Sequence, residues 1–392
     1  MNILAPRRVH PPIERSFMIL ALIVFFCSYY LVVAGLMAGW KGSVKERKRG
    51  LIVDDNMISV IIPARNEEEC IGILLMDLQR QEYRDFEVIV VDDHSDDGTM
   101  QMVLAAVKPG QNIKVITSSG TGKKLALTTG IRAAQGKIIV TTDSDCRVSP
   151  AWLAIINQNF QDQKTNMVLG CVKMEENNTF LGSLQVMEFS SLIGSGIATL
   201  FFGFPTLCNG ANLAFRKDVF DAVGGYSDNF HIPSGDDEFL LQKVFKKYPT
   251  GVHFMGTSGA VVRTKPQRTG KDFINQRIRW AGKWRYNRTV SKTLLAIYIF
   301  LFQLVTILLP VLVLNGWLSF PVAVGLWGAK VFVEFLFLWS VSRSLKSKWN
   351  WPSFTMLQLL YPFYVVLVGV FCNFRSFTWK ERRLRSGKEK TG

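Results

Sequence analysis

The stretch at residues 137–146, KIIVTTDSDC, decides how the rest of the chain is read. Ile138, Ile139 and Val140 make an apolar run of the length of a short buried strand, which opens into Thr141-Thr142-Asp143-Ser144-Asp145. In an extended segment residues i and i+2 face the same way. Asp143 and Asp145 are therefore expected to present two carboxylates to one point. Two hard oxygen donors at the mouth of a sheet suit Mg2+ or Mn2+, which complete their shells with diphosphate and water. In open α/β sheets, ligands sit outside the carboxyl ends of the strands. Two acids in a loop are equally the content of an ordinary solvated turn, so the motif takes its meaning from its surroundings.

Those surroundings alternate strand and helix. ISVIIP (58–63) reads as a first strand, followed by the turn Ala64-Arg65-Asn66-Glu67. Residues 67–81 have helical spacing, with Ile71, Leu74, Leu75 and Leu78 on one face. FEVIVV (86–91) is a second strand and ends in an acidic turn, 92–99, that starts the next helix. Residues 113–116 give a third strand, and 122–135 a helix opening on Gly-Lys-Lys. This alternation predicts a mostly parallel sheet with right-handed crossovers, and a nucleotide lying across its strand ends. Beyond Asp145 the reading is a helix at 152–160, a strand at 167–174 and a long apolar helix at 180–204. That helix holds Glu188, which favours a place at the membrane interface over a span. A strand at 207–216, a Gly-Gly-Tyr turn at 224–226 and a helix from about 234 to 247 follow. A last helix, 272–286, carries Gln276, Arg279 and Trp280.

The chain of 392 residues has 46 Lys+Arg against 31 Asp+Glu, a net charge of +15. Its apolar residues are unevenly placed. Residues 17–40 carry no charge and are long enough to span a bilayer; 293–329 form a second uncharged run that breaks at Asn315-Gly316, and 349–374 a third. The chain divides into an N-terminal transmembrane anchor (1–50), an α/β domain (51–290) and C-terminal transmembrane segments with a basic tail (291–392). Lys41, Lys45, Arg47, Lys48 and Arg49 follow the first span and place the α/β domain in the cytosol of a multi-pass cell-membrane protein. The tail from 375 onward is also basic, so parity asks that one late segment not cross; 349–374, with Pro352 and Pro362, is the expected exception. The basic runs flank membrane segments, so the charge argues for lipid headgroups and against nucleic acid. No Cys pair has CxxC spacing, and His94, His231 and His253 are too scattered for a metal cluster. Lys330 and Glu334 share a helix face inside a span and are expected to pair.

Taken in order, PARNE (63–67), VDDHSDDGT (91–99), GKKLAL (122–127), TTDSD (141–145), NGANLAFRK (209–217), GGY (224–226), GDDEFL (235–240) and QRIRW (276–280) resemble the membrane-bound inverting glycosyltransferases of family 2. The resemblance covers about 58–284. It implies the GT-A fold: a Rossmann-like α/β domain, here cytosolic, flanked by transmembrane helices. It also implies roles for matched positions. Ala64, Arg65, Glu67, Asp93, Lys123, Asp143 and Arg279 would bind a UDP-sugar donor. Asp143 and Asp145 would hold Mg2+ or Mn2+. Asp237 would be the catalytic base, with Asp236 a possible stand-in because relatives usually have Glu-Asp at this pair. Gln276 and Trp280 would meet the acceptor, a lipid or a glycan.

The chemistry agrees with those residue types. Breaking the bond between sugar and diphosphate loads negative charge on the leaving group, which a divalent cation and a planar guanidinium offset. The acceptor hydroxyl needs a positioned carboxylate to take its proton. Plainer roles compete: Asp236 and Asp237 as helix-start acids, Arg279 and Trp280 as interfacial anchors, and the basic residues of 263–288 as partners of lipid phosphates. Three functions follow: transfer of one sugar to a lipid or lipid-linked acceptor, processive polysaccharide synthesis, and a nucleotide-sugar binding subunit without turnover. Product length separates the first two, and turnover by purified protein excludes the third.

Overall fold

A computed structural model describes residues 11–44, 56–107, 112–230, 232, 235–282, 290–372, 377–379 and 382–384. The residues that carry most of the orientation signal (45, 47, 48, 49 and the tail beyond 384) lie outside these, as does His231.

Period-two alternation builds the centre of the α/β domain. In β1 (Ile58–Ala64), Ile58, Val60 and Ile62 pack into one core while Ile61 packs into the other. The neighbouring β2 (Phe86–Asp92) does the same with Val88 and Val90 against Ile89 and Val91. α2 (Ile71–Gln79), α3 (Thr99–Ala106) and α5 (Trp152–Asn159) cover the first face. α4 (Lys123–Ala133), α7 (Lys217–Ala222) and α8 (Asp236–Lys247) cover the second. Each fully buried Ile, Leu or Val contributes about 1.5–3 kcal/mol. α4 lies so close to the sheet that a Cβ at Gly130 would sit 2.6 Å from Ile61 Cγ2.

Seven strands order as β3 (Ile113–Thr117), β2, β1, β4 (Ile138–Thr141), β7 (Leu213–Arg216), β5 (Met167–Gly170) and β8 (Val252–Met255). Pairings are parallel except where β7 enters between β4 and β5, antiparallel to both. The sheet is thus mostly parallel, as expected. At the edge of β2 away from the site, the buried Glu87 is a structural acid. It accepts from Ser59 Oγ (2.6 Å) and Lys114 Nζ (2.7 Å).

Several boundaries differ from the sequence reading. The strand expected at 167–174 splits at Cys171, because β6 (Val172–Met174) leaves the main sheet to pair with β9 (Val262–Thr264). The strand expected at 207–216 is strand only from Leu213; Gly210–Asn212 is a 3-10 turn. The cause is Asn212, whose buried amide donates to Cys171 O and Ala260 O (2.8 Å each) and accepts from Trp152 Nε1 (3.1 Å). α2 begins at Ile71, since the chain at Glu67 is held in the turn by Thr99 Oγ1 (2.7 Å). The helix expected at 272–286 is α9 (Gly270–Gly282); residues 283–289 lie outside the described set.

Among the described residues, five helices are long and apolar enough to cross a membrane: α1 (Pro12–Val44), α6 (Phe180–Phe201), α10 (Val290–Leu314), α11 (Phe320–Ser344) and α12 (Trp351–Phe371). α10 and α11 part at Asn315-Gly316, with Gly316 at φ 75°. Four of the five show lipid-type surfaces, with Phe17, Leu31, Leu294, Leu314, Phe332 and Phe363 all exposed. α6 differs. β5, earlier in the chain, and β7, after it, pair in one sheet, so a single crossing by α6 would put paired strands on opposite sides of the bilayer. α6 therefore stays on the side of the α/β domain, packed along α1, where Gly39 lets the backbones meet: a Cβ there would lie 2.7 Å from Ala198 O. The expected interruption of the last segment is not found: α12 is one unbroken helix. Pro352 sits in its first turn, where its missing N–H costs nothing, and Pro362 is buried within the helix. Lys330 and Glu334 pair at 2.9 Å, with Gln358 (3.1 Å) and Tyr29 (2.6 Å) completing the network.

Candidate active site

A cavity of about 870 Å3 opens at the carboxyl ends of β1 and β4, under α9. It is lined by Ala64, Arg65, Glu67, Asp93, Lys123, Asp143, Asp145, Asp236, Asp237, Gln276, Arg279 and Trp280, so every residue expected from the resemblance to bind donor, metal or acceptor or to act as base reaches one space.

The local chain explains how. β4 stops at Thr141, whose Oγ1 donates to Gly210 O (2.6 Å) and ties the strand end to the 210 turn. Asp143 and Asp145 do not converge by extended spacing. Residues 144 and 145 form a turn closed by Cys146 N on Asp143 O (3.1 Å), which corrects the sequence argument for that pair. Asp145 Oδ2 meets Thr264 Oγ1 at 3.4 Å. α8 starts after Gly235, which takes a left-handed φ of 83°. Asp237 Oδ2 accepts from Gly210 N (3.1 Å) and Oδ1 from Glu238 N (2.8 Å). Asp237 is half-buried and Asp236 buried.

Lys123 opens α4 after Gly122, at φ 106°. Its ammonium donates to Asp143 Oδ1 (2.6 Å) and lies 3.7 Å from Asp236 Oδ2. Burial opposes its charge, but Asp143, Asp236 and Asp237 outweigh burial and push its pKa up, so it stays cationic. The next residue, Lys124, points elsewhere and holds Ile232 O (2.9 Å). Arg279 is the second cation. Burial pulls its guanidinium down from the ordinary value against the attraction of Asp236, Asp143 and Asp237.

Arg65 and Asp93 act first as braces. The Arg65 guanidinium donates to Asp93 O (2.8 Å), His94 O and Asp96 Oδ2 (3.0 Å). Asp93 accepts from Gly122 N with both oxygens (2.9 and 3.0 Å). The turns after β1 and β2 and the start of α4 are thereby one unit.

Among the described residues no three His, Cys, Asp or Glu side chains cluster as a ready metal cage. The donor set still fits a hard cation that shares its shell with a diphosphate, which needs only one or two carboxylates. Burial pushes the neighbouring Cys146 thiol well up, which keeps a soft thiolate out of the set.

Sequence reasoning missed Arg277, which it grouped with the lipid-facing cations. Arg277 is 2 % exposed and pairs with Glu188 of α6, also 2 % exposed. The signal available was the lone acid in an apolar helix, which demands a basic partner. An apolar wall also went unread: Phe189, Leu192, Ile193 and Ile197 of α6 and Tyr364 and Val368 of α12 line the same cavity.

The sequence profile described as Glycosyl transferase family 2 matches residues 59–224. Poly-beta-1,6-N-acetyl-D-glucosamine synthase of Staphylococcus aureus is 26 % identical over 174 residues, 43 % of this chain and 42 % of that protein. The chain thus aligns with under half the length of the first curated relatives it matches. UDP-Glc:alpha-D-GlcNAc-diphosphoundecaprenol beta-1,3-glucosyltransferase WfgD of Escherichia coli is 25 % identical over 196 residues, 50 % of this chain and 72 % of that protein. In fold, the chain is similar to the mannosyltransferase PcManGT from Pyrobaculum calidifontis, solved with GDP-Man and Mn2+. The TM-score is 0.56 at 18 % identity, over 90 % of this chain and 98 % of that one. The mostly parallel sheet, its covering helices and the flanking apolar helices are the GT-A architecture expected from the sequence. The ordered motifs, the sheet that gathers them and the matching profile lead to one assignment: the chain carries a glycosyl transferase family 2 domain.

Proposed function

We propose that the protein transfers a sugar from a UDP-sugar to a lipid or lipid-linked acceptor at the cytosolic face of a membrane, with inversion at the anomeric carbon. The observation that carries this is one cavity whose lining joins Asp143, Asp145, Asp236 and Asp237, with Lys123 and Arg279, to an apolar wall from α6 and α12. Polar chemistry and a lipid-compatible surface meet there.

In this reading the turn after β1 and Asp93 receive the nucleoside. Lys123 and Arg279 hold the diphosphate, Lys123 by exchanging part of its contact with Asp143 for phosphate oxygens. Asp143 and Asp145 would hold Mg2+ or Mn2+, which, when bound, offsets charge on the leaving diphosphate. Asp237, fixed by two backbone N–H donors, takes the proton of the acceptor hydroxyl as that oxygen attacks the anomeric carbon and the diphosphate leaves. Trp280 and Gln276 orient the acceptor, and the apolar wall takes its tail. The N-terminal anchor, α/β domain and C-terminal membrane segments serve as the three parts of this machine. The curated relatives support both a lipid-linked acceptor, named for the E. coli protein, and a polysaccharide product, named for the S. aureus protein. Incubating membranes with labelled UDP-sugars tests the proposal: one added sugar in the lipid fraction supports it, and a product ladder moves the reading to processive synthesis. Absence of turnover by purified protein with donor and acceptor returns it to a binding subunit.

A further inference from the structure

Glu188 and Arg277 face each other between α6 and α9 through two parallel bonds, Nε to Oε1 at 2.9 Å and Nη2 to Oε2 at 2.5 Å. Buried ion pairs are a weak source of stability, because desolvation offsets the attraction. Their use is better sought in what they hold in place, and this pair holds much. Arg277 Nη1 donates to Gln276 Oε1. A guanidinium only donates, so the amide must turn its oxygen toward Arg277 and leave its NH2 for an acceptor atom in the cavity that Gln276 lines. The Arg277 Cζ lies 4.3 Å from the Trp280 ring centre and 4.6 Å from that of Phe273. Glu188 Oε1 also accepts from Tyr364 OH of α12 (3.2 Å), and Phe273 stacks on Tyr364 at 5.8 Å. One residue thereby sets the amide face of Gln276 and supports the ring of Trp280, while its counter-ion is keyed to a membrane helix. A lysine could supply the charge but neither the fork nor the plane.

We propose that Glu188 and Arg277 are a positioning pair that fixes Gln276 and Trp280 at the cavity and registers α9 against α6 and α12. The proposal rests on the sugar-transfer reading and deepens it. Two variants of the full chain test it. Glu188→Leu/Arg277→Met removes both charges at similar volume, which a buried pair tolerates in stability. Arg277→Lys keeps the charge and loses the fork. Three readouts are compared with the parent: melting temperature with UDP affinity, the 5-fluorotryptophan resonance of Trp280 (assigned by Trp280→Phe), and UDP release from a panel of UDP-sugars. The expected result is a folded protein with parental UDP affinity, a displaced Trp280 resonance and turnover lower by about 10²-fold, the scale of a 1 Å misplacement. An unmoved resonance, or parental turnover in either folded variant, overturns the proposal. Failure of both variants to fold also overturns it, since the pair is then structural. A parent silent on every donor overturns the transfer reading itself, an outcome distinct from an active parent with an equally active variant.

Discussion

Replacing Asp237 by Asn tests the assignment of the base, and the structure sets the terms. Asp237 accepts one backbone N–H on each oxygen, from Gly210 at 3.1 Å and from Glu238 at 2.8 Å. An amide offers one oxygen and one NH2, so one of these donors must then face another donor. The expected structural cost is about 1–3 kcal/mol, the penalty of a polar group left unsatisfied. For a domain of this size that lowers the melting temperature by about 2–10 °C. The chemical cost is larger: losing a general base slows turnover by about 10²–10⁴-fold, or about 3–5 kcal/mol. The two effects separate experimentally. Melting temperature and UDP titration report the first, and UDP release from UDP-sugars at saturating donor reports the second. Asp236→Asn is the control, because Asp236 approaches Lys123 at 3.7 Å and its loss perturbs the charge cluster without removing the proposed base. The expected outcome is parental donor affinity and deep loss of turnover for Asp237→Asn, with a milder Asp236→Asn. Parental turnover in Asp237→Asn refutes the assignment, and the reverse ranking moves the base to Asp236.

Asp143→Ala and Asp145→Ala are expected to abolish transfer and weaken donor binding, and chelation by EDTA to do the same to the unaltered protein; full activity in EDTA would falsify the metal assignment. Arg279→Lys keeps a cation in the buried site but loses the planar fork, so turnover should fall at least tenfold in the same UDP-release assay. In the membrane, Lys330→Met alone leaves Glu334 without its cation and is expected to cost about 3–5 kcal/mol, measured as lost thermal stability in detergent; Lys330→Met/Glu334→Gln should recover much of it. Because α12 is unbroken, a cysteine near Lys388, in a chain lacking Cys27 and Cys372, should label with an impermeant thiol reagent on intact cells. Protection would mean that one of α10, α11 and α12 does not cross.

The reading of the α/β domain from sequence succeeded where structure is local. ISVIIP and FEVIVV place alternate side chains in two cores, and a strand's period of two is a property of its own backbone. The helices long and apolar enough to span were legible for the same reason, since length and lack of charge suffice to mark them. The gathering of Asp93, Lys123 and Asp143 around one cavity was legible through the order of their motifs, because strand ends in a parallel sheet lie along one edge, whereas Asp237, which opens a helix after the antiparallel β7, was expected there from the family resemblance alone.

What the sequence could not determine is everything that depends on partners far apart in the chain. Nothing local in LAFR says that β7 enters antiparallel between β4 and β5. VHFM and VRT lack the alternation that would mark β8 and β9, because their places come from pairing with β5 and β6. Pro352 and Pro362 looked like breaks; whether a proline interrupts a helix depends on its place in the turn and on what packs around it. The sharpest case is Arg277. It lies in a basic stretch, with nine Lys/Arg in residues 263–288, yet it is among the most buried cations of the described residues. Its counter-ion lies 89 residues away on α6, and only the tertiary fold, by bringing α6 under α9, gives that charge a partner and takes both out of water.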